Sequence, residues 1–95
     1  MNFTYKVECN INIGQNLYGI IAVSRYTYDG IYPIIVNAID YNNECVIFRV
    51  DQLCGYVFCS FDEMEYLVFE TEDEAKQAIE NIEFGNGLQS YSNYF

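Results

Sequence analysis

Only one stretch of this sequence carries its apolar residues at helical spacing, and that restriction pushes most of the chain toward strands. Between Thr71 and Glu83, the residues Ala75, Ala78, Ile79 and Ile82 stand at i, i+3, i+4 and i+7, which lines them up as one stripe along a helix. Thr71 suits the N-cap, and Glu74 three residues on completes a capping box. The opposite face carries Glu72, Asp73, Lys76, Gln77, Glu80 and Glu83; acids in the first turn match the positive end of the helix dipole. Gly85 and Gly87 read as the helix stop.

Elsewhere the period is two. Tyr5, Val7, Cys9, Ile11 and Ile13 alternate with Thr4, Lys6, Glu8, Asn10 and Asn12, the pattern of a strand with one wet face. After the break at Gly14-Gln15-Asn16, the run Leu17 to Val23 is short and β-branched enough for a strand through the core. Asp29-Gly30 marks a turn. Ile34 to Ile39 follows Pro33, which fits a strand start or an edge. The polar segment Asp40 to Glu44 then joins it to Cys45 to Val50 as a hairpin. Tyr56 to Phe61 is a further strand, with Gly55 read as a bulge. Asp62 to Glu65 is read as a polar connection, and Tyr66 to Phe69 as a short strand entering the helix. The expected class is α+β: a small, partly open antiparallel β-barrel of SH3-like form, or a strongly bent sheet of five to six strands, with one C-terminal helix.

Ninety-five residues suffice for one hydrophobic core, so residues 1–95 are expected to form a single domain, with 87–95 as a loosely held tail. The chain is 52% hydrophobic with ten Tyr and seven Phe, too apolar for a disordered acidic tail. Tyrosine tolerates a half-wet position, which leaves aromatic surface for contacts. No internal repeat or linker divides the chain. The N-terminus lacks a basic region followed by an apolar stretch, and no run reaches the length of a membrane span, so the expected location is the cytoplasm.

Fourteen acids against four bases give a formal charge of −10. Such a chain repels nucleic acid and anionic membrane, and its expected partner is a basic protein surface. The charge is concentrated late: through Phe61 the net is −2, and from Asp62 onward it is −8, with Lys76 the only base.

The absence of His removes the usual neutral-pH proton carrier and every Ser-His or Cys-His pair. No Gly-rich phosphate loop is present. Paired carboxylates acting on sugars need a larger cleft, so catalysis and cofactors are not expected. Cys9, Cys45, Cys54 and Cys59 are expected to be reduced thiols used as small apolar residues. The C-x4-C spacing of Cys54 and Cys59, with Cys45 nearby, leaves zinc as the lesser alternative. Asp62-Glu63-Met64-Glu65 lacks the alternating acids and central Gly of a calcium loop.

The ending Leu67-Val68-Phe69-Glu70-Thr71-Glu72-Asp73-Glu74-Ala75-Lys76-Gln77-Ala78-Ile79 resembles that of small SH3-like proteins of Firmicutes and their phages, in which a barrel-like β domain runs into a short apolar strand and a capped helix. The Asn, Ile and Tyr usage is similar to that of a low-GC bacterium or its phage. In size and acidity the chain also resembles the small phage inhibitors of bacterial defence systems, anti-CRISPR proteins among them. That class shares no motif, so the resemblance implies a mode of action and no residue roles.

The function expected from these features is that of a non-catalytic inhibitor whose acids imitate a nucleic-acid backbone and enter the Lys/Arg groove of a defence effector. The candidate surface comprises Asp62, Glu63, Glu65, Tyr66, Glu70, Glu72, Asp73, Glu74, Glu80 and Glu83, with Tyr91 and Tyr94 as further aromatic anchors. The alternative is an SH3-like adaptor that binds a peptide on a Tyr-rich face or an open strand edge. A sponge for a signalling nucleotide would have only four bases to offer phosphates. The helix acids also have an ordinary purpose, keeping an aromatic-rich chain in solution.

Overall fold

The computed structural model describes residues 11–22, 30–82 and 86–90. Strands β1 (Asn16–Ile21), β2 (Gly30–Asp40), β3 (Cys45–Val50) and β4 (Gly55–Ser60) are successive antiparallel neighbours. Two-residue strands β5 (Val68–Phe69) and β6 (Gln89–Ser90) flank them, giving the order β5-β1-β2-β3-β4-β6. Helices α1 (Met64–Leu67) and α2 (Glu72–Ile79) stand before and after β5.

Alternation decides which side chains face inward. Val36, Phe48 and Val57 lie opposite one another across three strands, as do Ile39, Val46 and Cys59. Of these, Phe48, Val46 and Val57 are fully buried, each such side chain contributing about 1.5–3 kcal/mol by leaving water. The other face of β3 carries Arg49, whose Nε lies 2.8 Å from an Asp51 carboxylate oxygen. The expected hairpin is present: Asp40 accepts hydrogen bonds from the Asn43 backbone N–H at 3.0 Å and from its amide at 2.8 Å, closing the turn between β2 and β3. Beside that turn, the half-exposed Tyr41 ring meets Phe61 edge-on at 6.1 Å.

Pro33 marks neither a strand start nor an edge strand: it lies inside β2, between β1 and β3 in the sheet order, where its missing donor is tolerated for a local reason. The Val36 N–H donates toward β1, to the Gln15 carbonyl, so the odd-numbered positions nearby face away from β1. The β2–β3 ladder begins only at Ile35 and Arg49, which leaves no β3 partner opposite Pro33. Gly55 keeps regular register with Val50, and the bulge lies instead between Val36 and Ala38.

Several expectations need correction. Of the alternating run 4–13, residues 4–10 lie outside the described residues, and Ile11 to Ile13 are not in a strand. The Asn12 N–H donates to the Gln15 side chain at 3.1 Å, and the Gln15 N–H returns to the Asn12 carbonyl at 3.0 Å. With Gly14 at φ 89° this makes a tight turn that leaves Ile13 62% exposed. Val23 and Asp29 lie outside the described residues. The helix is neither single nor C-terminal, because α1 precedes it and β6 follows it. What read as a polar connection, Asp62 to Glu65, is a 3-10 turn running into α1, in which Phe61, Met64 and Leu67 are buried at spacings of three. The strand expected over Tyr66 to Phe69 is correspondingly reduced to Val68–Phe69.

The helix α2 stops at Ile79, and Gly87 has a different task from ending it. A Cβ on Gly87 would fall 2.7 Å from the Ala22 nitrogen and 2.8 Å from the Ile20 carbonyl oxygen. That closeness lets Leu88 bridge to β1: its N–H donates to Ile20 at 2.7 Å and its carbonyl accepts from Ala22 at 3.0 Å. The next two residues pair with β4. One short segment thus touches strands far apart in the sheet order, which requires the sheet to bend back toward itself. Leu88 is 2% exposed, sealing that end of the core.

A candidate acidic binding surface

The carboxylates in question are carried by a 3-10 turn, α1, the link after β5 and α2, with the turn and both helices anchored through their apolar sides. In the turn and α1, Phe61, Met64 and Leu67 point into the core, so Asp62, Glu63, Glu65 and Tyr66 project outward. Tyr66 is 63% exposed. One Glu63 oxygen accepts a hydrogen bond from the Ser60 hydroxyl at 2.9 Å, which orients the carboxylate. Glu70 is exposed in the link to α2. In α2, Ala75 is buried while Ala78 and Ile79 pack partly against the core, so Glu72, Asp73 and Glu80 share the outer face around Lys76.

These acids are not equivalent. Glu74 serves the fold: its carboxylate accepts from the Thr71 backbone N–H at 3.2 Å, while the Thr71 hydroxyl oxygen accepts from the Glu74 N–H at 3.2 Å, forming the expected capping box. Glu72 lies 3.7 Å from the Lys76 ammonium, one turn along. Asp62, Glu65, Asp73 and Glu80 are exposed positions. Glu83, Tyr91 and Tyr94 lie outside the described residues, as do Lys6 and Arg25.

Because α1 and α2 pack against each other, the surface has relief as well as charge. A groove of about 330 Å³ runs between Glu63, Tyr66 and Leu67 on one side and Asn81, Ile82 and Asn86 on the other. It continues past Glu63, Leu67 and Asn86 into a hollow of about 240 Å³ bounded by Phe58 and Gln89. The sequence pointed to Glu63 and Tyr66 but not to the two asparagines opposite them. An exposed Asn in a polar stretch carries no signal that it will face a helix some fifteen residues earlier.

The cysteines divide by burial. Cys54 is exposed in the left-handed conformation, φ 54°, between β3 and β4. Cys59 is buried four positions beyond Gly55 along β4. Burial first, then the Glu63 carboxylate and Cys45, pushes the Cys59 thiol far above its ordinary range. Burial and then Asp40 push Cys45 upward. Both are held as neutral thiols, the form that neither attacks nor ligates. Among the described residues, no three His, Cys, Asp or Glu side chains converge on a point that could hold a metal; Cys9 lies outside them.

Among the described residues, no helix is long and apolar enough to cross a membrane. No protein-family model, no curated protein and no solved structure matches the chain.

Proposed function

We propose that this protein is a non-catalytic inhibitor that occupies the cationic groove of a nucleic-acid-binding effector, with bacterial defence complexes as the target class, by presenting carboxylates where the effector expects phosphates. The observation that carries this reading is that all eight described acids from Asp62 to Glu80 are exposed on adjoining elements. Glu72 stands 3.7 Å from Lys76, the single base in this part of the sequence. A groove built for rows of phosphate accepts such a surface without rearrangement, and opposite fields speed the encounter. No cofactor enters this mode of action.

A second reading, an SH3-like peptide-binding adaptor, is favoured by the Leu88 bridge, which supports describing the bent sheet as a partly open barrel, and by the exposed rings of Tyr66 and Phe58. Salt separates the two. The test is displacement of a labelled duplex from a panel of guide-loaded nuclease complexes at about 50 and 300 mM salt. Mimicry requires displacement at one molar equivalent that weakens at least about tenfold at the higher salt and is lost in the triple variant E72K/D73K/E80K. Equal displacement by that variant, or no displacement from any complex, would refute it.

A further inference from the structure

We propose that the groove between α1 and the chain beyond α2 is a seat for one arginine side chain of the protein partner. The proposal rests on reading that partner as a basic surface, and adds what the surface recognises in it.

The argument comes from the lining. An arginine presents five N–H donors and no acceptor, on an aliphatic stem that prefers an apolar bed. The groove offers the complement. Leu67 and Ile82 supply the apolar floor. Tyr66 supplies an exposed aromatic face on which a planar guanidinium can stack. Acceptors come from two side chains whose other ends are already engaged. One oxygen of Glu63 is bound to the Ser60 hydroxyl, leaving the second for a partner. The Asn81 amide nitrogen donates to the Gln77 carbonyl at 3.4 Å, so among the described residues its carbonyl oxygen is the end open to a donor. Asn86 closes the far wall with another amide. At about 330 Å³ the groove is at the small end of ligand sites, the scale of a single long side chain.

Lysine has the same charge but is a compact ammonium that can neither stack as a plane nor bridge two acceptors side by side. A guanidinium fork also fits an isolated carboxylate, so the part of the arginine preference that is lost with Tyr66 is what reports on the groove. The experiment is equilibrium binding of fluorescent nona-arginine and nona-lysine to the full chain at about 50 mM salt. The arginine peptide should bind about fivefold more tightly. Tyr66→Ala and Glu63→Gln should lower the ratio toward one, and Tyr66→Phe should keep it; both positions are exposed, and unchanged melting would show that the fold is intact. Equal binding of both peptides by the wild type, or a preference that survives Tyr66→Ala, overturns the arginine seat. In that case, weakening of both peptides by E72K/D73K/E80K would leave the acidic-surface reading standing. If neither peptide binds, both fall.

Discussion

Replacing Gly87 by Ala should loosen one end of the sheet at a cost that the structure sets. The added methyl would meet the Ala22 nitrogen at 2.7 Å, the Ile20 oxygen at 2.8 Å and the Ile21 carbonyl carbon at 2.9 Å. All three are backbone atoms of β1 or its extension, so no rotamer change relieves the clash. If the segment stays in place, the cost is that of overpacking, about 1–3 kcal/mol. If it lifts away, the two bonds between Leu88 and β1 go with it, each contributing about 1 kcal/mol. The fully packed Leu88 side chain then returns to water for about another 2 kcal/mol. The two routes bracket an expected loss of about 1–4 kcal/mol. Urea unfolding followed by far-UV circular dichroism would measure it. Gly14→Ala is the control: it adds a methyl with nothing within 4 Å at φ 89°, so it should cost only the left-handed strain of about 1–2 kcal/mol. A loss below about 0.5 kcal/mol for Gly87→Ala, the ordinary surface value, would mean that the Leu88 bridge does not hold the fold together.

Three other outcomes are expected. Thr71→Ala removes the hydroxyl that caps α2 and should lower stability by about 1 kcal/mol, read as a shift in the urea midpoint with unchanged slope. Asp40 is held below the ordinary carboxylate range, first by the Asn43 side-chain amide and then by the Asn43 backbone N–H. Its contribution is therefore fully present above the ordinary value and lost as the pH falls through the folded-state value; carbon-detected NMR titration should show the Asp40 pKa rising in Asn43→Ala, and an unmoved titration would contradict the turn geometry. Finally, a maleimide should label exposed Cys54 in the native protein while Cys59, buried and with its thiol pushed up, reacts only on unfolding; labelling of Cys59 at the native rate of Cys54 would be incompatible with its place in the core.

Much of the local structure was legible without coordinates. The capping box at Thr71 and Glu74 is a short-range pattern whose partners are three residues apart, and it formed as read. Strand β3 was legible from end to end, because Cys45 to Val50 is β-branched and bounded by a polar turn. Helix α1 was missed although Phe61, Met64 and Leu67 repeat at three, since the three acids between them made Asp62 to Glu65 read as a connection and Tyr66 as the start of a strand.

What chain order alone determined, then, was whatever depends on neighbours: the cores of strands β1 to β4, the cap, the outward-facing acids and the excess negative charge. Tertiary contact decided the rest. Gly87 and Leu88 look like punctuation in a polar tail until β1 is placed against them, and Asn81 and Asn86 look like surface residues until α1 is placed opposite. Such roles arise from distances between segments remote in sequence, and no periodicity in either segment encodes them.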